Sequence, residues 1–179
     1  MKKKIALGLM LVITIFALTG CGKKTETKTK TVKKNTDKQI VLKDEGFGTT
    51  TFTYSNDKDY VVKEDASGKY KELTISSESE NFELQIYHFD TTSASFGTGK
   101  ANRSDSNGFM EYTWNKYKGY TYNGDKDLIS FNILLKDDSN SSKALFGQME
   151  PLNSTDANIE ETFRGESVQK LLNSISFEE

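Results

Sequence analysis

Apolar and polar residues alternate most clearly over Phe82–Phe89, with Phe82, Leu84, Ile86 and His88 on one side and Glu83, Gln85, Tyr87 and Phe89 on the other. A period of two sends successive side chains to opposite faces of a strand. Thr49–Tyr54 (TTTFTY) is rich in β-branched and aromatic residues, and Ser55-Asn56-Asp57 ends it with turn chemistry before Tyr60-Val61-Val62. Ser67-Gly68 then turns into Glu72–Ser76, where Leu73 and Ile75 share a face. Strand patterns return at Phe109–Trp114, Gly119–Tyr122 and Asp127–Leu135. In the last, Ile129, Phe131, Ile133 and Leu135 line one face and Leu128 and Leu134 mark the other, which predicts a central strand covered on both sides.

Three stretches break this rhythm. Residues 90–108 gather Thr, Ser, Gly, Asn and Lys and predict a long loop with at most a short helix. Lys143–Met149 predicts a short helix that stops before Pro151. Val168, Leu171, Leu172 and Ile175 fall at i, i+3, i+4 and i+7, the apolar stripe of a terminal helix, and Ser176-Phe177 follows as a short closing strand. The fold class expected over residues 39–179 is α+β: one antiparallel sheet of about six strands packed by a C-terminal helix.

The N-terminus changes the picture. Lys2, Lys3 and Lys4 precede an uncharged run from Ile5 to Leu18, and Leu18-Thr19-Gly20 stands directly before Cys21. That run reaches only ~21 Å as a helix, short of the ~30 Å hydrocarbon core, so residues 1–20 are a cleavable signal segment rather than a span. The terminus resembles that of bacterial lipoproteins. The resemblance implies a diacylglycerol on the Cys21 thiol, fatty acids such as palmitate, and cleavage that leaves Cys21 first. Lipidation also accounts for the chain's single Cys, since a free thiol outside the cytoplasm is an oxidation liability. The partners expected are membrane lipid through Cys21 and an envelope protein or wall component.

Charge divides unevenly. Residues 22–38 hold seven Lys against Glu26 and Asp37, a net of +5, and only Val32 is apolar, so 21–38 is a lipidated Cys with a disordered Lys/Thr tether. Residues 39–179 hold 14 basic and 24 acidic residues, a net of −10, which argues against a nucleic-acid partner. With 35% apolar and 28% charged residues, the 179-residue chain suits one modest core.

The composition leaves little room for catalysis. One Cys and one His do not make a structural zinc site or a disulfide, and His88 is the only imidazole available for nucleophilic chemistry. It ends an apolar face and is expected to be a structural residue at the rim. Asn123, Asp125 and Asp127 alternate oxygen ligands, but the EF-hand glycine and glutamate positions are missing, so they predict a hairpin turn and no metal. No catalytic set and no cofactor is expected.

Phe109–Tyr122 concentrates six aromatic residues. If Lys116-Tyr117-Lys118 forms a three-residue loop, Trp114 faces Tyr120 and Tyr112 faces Tyr122. Tyr112, Trp114, Tyr117, Tyr120 and Tyr122 are therefore the candidate binding face, for a glycan or other small ligand in the alternative reading, against a purely structural cross-strand ladder. Trp114 and Tyr112 are expected to be at least half buried and Tyr117 exposed at the loop tip.

The order of Phe52-Thr53-Tyr54, a meander of strands, and Val168-Gln169-Lys170-Leu171-Leu172-Asn173-Ser174-Ile175-Ser176-Phe177 resembles the PsbP/Mog1-like α/β/α sandwich group, whose bacterial members include small surface lipoproteins. That resemblance implies binding or accessory roles and no shared catalytic constellation.

Overall fold

The computed structural model describes residues 37–66, 71–125, 127–153 and 158–179. The signal segment, Cys21 and the tether as far as residue 36 lie outside them. The elements are β1 (Lys38–Asp44), β2 (Gly48–Tyr54), β3 (Val61–Asp65), β4 (Glu72–Ser77), β5 (Phe82–Thr91), α1 (Ser93–Arg103), β6 (Met110–Trp114), β7 (Tyr117–Asp125), β8 (Leu128–Lys136), β9 (Ser142–Glu150), α2 (Ile159–Arg164), α3 (Glu166–Asn173) and β10 (Ser176–Glu178).

The fold is α+β with antiparallel sheets. Instead of one sheet of about six strands there are two: seven strands in the order β3-β4-β5-β9-β8-β7-β6, and three in the order β1-β2-β10. Each neighbouring pair is antiparallel. The inner face of the large sheet buries Leu73, Ile75, Leu84, Ile86, Phe131, Ile133 and Leu145. Ile40, Leu42 and Phe52 of the small sheet join the same core, as do Phe163 of α2 and Val168, Leu171 and Leu172 of α3. The predicted terminal stripe thus faces inward, and each Leu sealed there makes a truncation to Ala cost ~2–5 kcal/mol.

Four expectations are corrected. β1 begins at Lys38, the residue assigned to the end of the tether, and alternates buried Ile40 and Leu42 with exposed Val41. Where a long loop with at most a short helix was expected, residues 93–103 form an 11-residue helix: Thr92 accepts a hydrogen bond from the Ser95 N–H at 3.0 Å, and Lys100 and Arg103 occupy the last turn, where cations suit the helix dipole. Lys143–Met149 lies within strand β9, not a helix. Its good helix formers yield to a site between β5 and β8, where a Cβ on Gly147 would collide with the Phe131 ring. The turn expected at Asn123–Asp125 falls later, because β7 continues through a bulge between Asn123 and Asp125.

Candidate functional site

The aromatic hairpin is not one face. Trp114 pairs with Tyr117 and Tyr112 with Gly119, so the loop is Asn115-Lys116 and the predicted pairings of Trp114 with Tyr120 and of Tyr112 with Tyr122 do not form. Asn115 makes the tight turn by adopting a left-handed φ of 57°, which Asn tolerates better than most residues. Its amide Nδ2 donates to the Ile175 carbonyl at 2.9 Å and its N–H donates to Asn173 Oδ1 at 3.2 Å, pinning the turn to the end of α3.

With that register, Tyr112, Trp114 and Tyr117 point into the core and Tyr120 and Tyr122 to the opposite face. Trp114 is fully buried, stacks on Tyr112 at 4.8 Å, and donates its indole N–H to Gln169 Oε1 at 3.1 Å. Tyr117, expected at an exposed tip, is only 5% exposed, and its hydroxyl accepts from the Phe177 N–H at 2.9 Å. The three inward residues are structural.

Tyr120 and Tyr122 belong to a broader surface, the outer face of the large sheet. Three successive cross-strand pairs of β5 and β9 stand on it: Glu83 with Glu150, Gln85 with Gln148, and Tyr87 with Phe146. β4 places Thr74 beside Gln85 and Glu72 beside Tyr87. On the other side, β8 places Ser130 beside Gln148 and Asn132 beside Phe146, and β7 adds Tyr122 and Tyr120. Toward β7 this face is covered: Ser130, Asn132 and Tyr120 are buried, while Thr74, Gln85, Gln148, Tyr87 and Phe146 are half-buried. The Tyr87 and Phe146 rings lie 5.0 Å apart and are half-buried. Gln85 donates to Glu83 Oε1 at 3.2 Å and Gln148 to Ser130 Oγ at 3.4 Å. Among the described residues, these cross-strand rows carry Glu72, Glu83 and Glu150 between β4 and β8, with Lys63 of β3 beside Thr74 at one end and Arg103 over Tyr122 at the other.

Helix α1 roofs the β7 end. Phe96 meets the Tyr120 ring edge-on at 5.4 Å and the Arg103 guanidinium lies 4.6 Å from the centre of the Tyr122 ring. Burial there raises the Tyr120 phenol pKa. A cleft of about 420 Å³ opens between α1 and the sheet, lined by Phe96, Lys100, Glu111, Lys118 and Leu134. Sequence reasoning missed Tyr87 and Phe146, since their shared face appears only once β9 is known to be a strand.

His88 lies on the inner side. It is 2% exposed, its Nδ1 is 2.6 Å from Asp44 Oδ2 and its Nε2 is 2.7 Å from Thr50 Oγ1. The carboxylate can only accept, so Nδ1–H donates to Asp44, and the neutral ring's Nε2 accepts from the Thr50 hydroxyl. Phe47 stacks on the ring at 4.1 Å. Burial pulls the imidazole pKa below its ordinary value against the opposing pull of Asp44. Thr50 is fully buried, so the line Thr50–His88–Asp44 closes the two sheets together and offers no hydroxyl to a substrate.

A second cleft, about 520 Å³, lies between β2 and α3 with Tyr54, Tyr60, Lys58 and Lys170 on its walls. Its cations are already engaged, Lys58 by Glu80 and Ser167 and Lys170 by Glu166, each at 2.5 Å. Among the described residues no group of three or more His, Cys, Asp or Glu side chains is placed to hold a metal, and no helix is long and apolar enough to cross a membrane.

No family model matches the chain, and no curated protein matches it. Among solved structures it is similar to the crystal structure of LpqN, involved in cell envelope biogenesis of Mycobacterium tuberculosis. The TM-score is 0.46 at 9% identity, covering 81% of this chain and 93% of that one.

Proposed function

We propose that the chain is a bacterial envelope lipoprotein, anchored through Cys21 on the outer side of the cytoplasmic membrane, whose domain binds an envelope protein or wall component rather than performing catalysis. The observation that carries this reading is the order of Lys2-Lys3-Lys4, the apolar run Ile5–Leu18 and Leu18-Thr19-Gly20 before the single Cys. The lysines of the tether add attraction to anionic headgroups beside the anchor, up to ~1 kcal/mol each. A binding role is supported by the sealed imidazole, both of whose nitrogens are occupied in the core, and by the half-buried aromatic and amide side chains laid out on the outer sheet face. No cofactor enters this reading.

Growth with labelled palmitate tests it. The protein should take up label and fractionate with membranes, whereas Cys21→Ser should take up none and remain uncut at residue 20. Label on the Cys21→Ser protein would refute the anchor.

A further inference from the structure

We propose that Asn107 is a site of spontaneous covalent modification, at which the Gly108 backbone nitrogen displaces the carboxamide and the residue becomes aspartate or isoaspartate. This goes beyond the binding role proposed above and does not rest on it. Asn-Gly occurs twice in the chain, at 107–108 and at 123–124. The fold brings the two dipeptides together and treats them oppositely. Asn107 and Gly108 are the central residues of a turn between α1 and β6, closed by the Phe109 N–H donating to the Ser106 carbonyl at 3.2 Å. Gly108 holds a left-handed φ of 68° at the third position of that turn, where glycine is favoured. Asn107 is exposed, and among the described residues neither its carboxamide nor the Gly108 N–H has a hydrogen-bond partner. No bond holds the two reacting groups apart, and glycine, lacking a Cβ, leaves its nitrogen open to the approach.

The reaction needs only water. The Gly108 nitrogen bonds to Asn107 Cγ, the Cγ–Nδ2 bond breaks, and ammonia leaves with the proton that the Gly108 nitrogen gives up. Water then opens the cyclic imide. Cleavage at Cγ gives aspartate, and cleavage at the former backbone carbonyl gives isoaspartate, in which the chain runs through Cβ and Cγ. Nothing is oxidised or reduced. Asn123 has the same neighbour but is held in place. Its N–H donates to the Asn107 carbonyl at 2.7 Å, it pairs with Ile129 of β8, and its carboxamide lies against Gly108, where an added Cβ would collide with it. Ring closure at Asn123 therefore requires β7 to open first. Isoaspartate formation turns the Asn107 carbonyl into a free carboxylate, so conversion strikes the bond that ties the α1–β6 turn to β7.

The test is incubation of the detergent-solubilised full-length protein in mildly alkaline heavy-oxygen water, then digestion in ordinary water and fragmentation mass spectrometry. Trypsin separates the two sites, with Asn107 in Ser104–Lys116 and Asn123 in Gly119–Lys126. Position 107 should lose ammonia and take up heavy oxygen with time, as a mixture of aspartate and isoaspartate. Asn123 should convert about tenfold more slowly or less, because strand opening precedes its ring closure. In guanidinium chloride the two rates should converge to within a few-fold, since the dipeptides are the same. Asn107→Gln, whose longer side chain disfavours the ring, should take up no label at position 107 over the same interval. Absence of label at Asn107 in the folded protein, or label at Asn123 as fast as at Asn107, would overturn the assignment. The same gap surviving in guanidinium chloride would overturn it too, by tracing the difference to local sequence instead of the fold.

Discussion

At the scale of single residues, His88 makes the sharpest claim. Its pKa is lowered in the fold, so as pH falls through about 6.5 the unfolded chain binds a proton that the native state resists. The unfolded state then holds more protons, and stability falls with pH in that window; above it both states are neutral and the contribution is constant. Because the chain has one His, the imidazole Cε1 proton gives a single titrating signal. Its midpoint should lie below that of a model peptide, and Tm should decline from pH 7 to 5.5. A midpoint above 6.5 would reverse the sign and refute a neutral buried ring. Trp114 is fully enclosed and hydrogen-bonded to Gln169, so Trp114→Ala should cost ~3–5 kcal/mol. Tyr117→Phe, which only removes the acceptor of the Phe177 N–H, should cost ~0.5–1.5 kcal/mol. Denaturant melts of the two variants separate these magnitudes.

At the scale of elements, two glycines distinguish packing from propensity. Nothing lies within 4 Å of a Cβ placed on Gly97 in α1, so Gly97→Ala should stabilise by ~0.5–1 kcal/mol. Gly147 in β9 faces the Phe131 ring without room for a methyl group, and Gly147→Ala should destabilise by ~1–3 kcal/mol. Melting temperatures moving in the same direction would contradict one of the two placements. The same elements show what was legible beforehand. Alternation revealed β4, β5 and β8, β-branched and aromatic composition revealed β2, and the i, i+3, i+4 stripe revealed α3, because in each large apolar residues dominate the buried face. α1 was legible only as at most a short helix because it buries no residue completely and contains two glycines, leaving only the Thr92 cap as a signal. β9 escaped because Lys, Ala, Leu, Gln and Met favour a helix when isolated, and only pairing on both edges makes them a strand. The aromatic site was half legible: its residues stood out, but a hairpin loop of two residues instead of three moved Tyr120 and Tyr122 to the far face.

At the scale of the whole molecule, the −10 charge of residues 39–179 and the +5 of residues 22–38 define two parts with opposite electrostatic preferences. If Cys21 carries lipid as proposed, the basic residues 22–38 are drawn to an anionic membrane surface, while the acidic residues 39–179 are repelled from it. The proposed anchoring depends on Cys21 carrying lipid, and the intact mass of the protein extracted from membranes measures it directly. The expected species is a polypeptide that begins at Cys21 and carries the added mass of a diacylglycerol thioether. A membrane-extracted species that retains residues 1–20, or one with an unmodified Cys21, would contradict it.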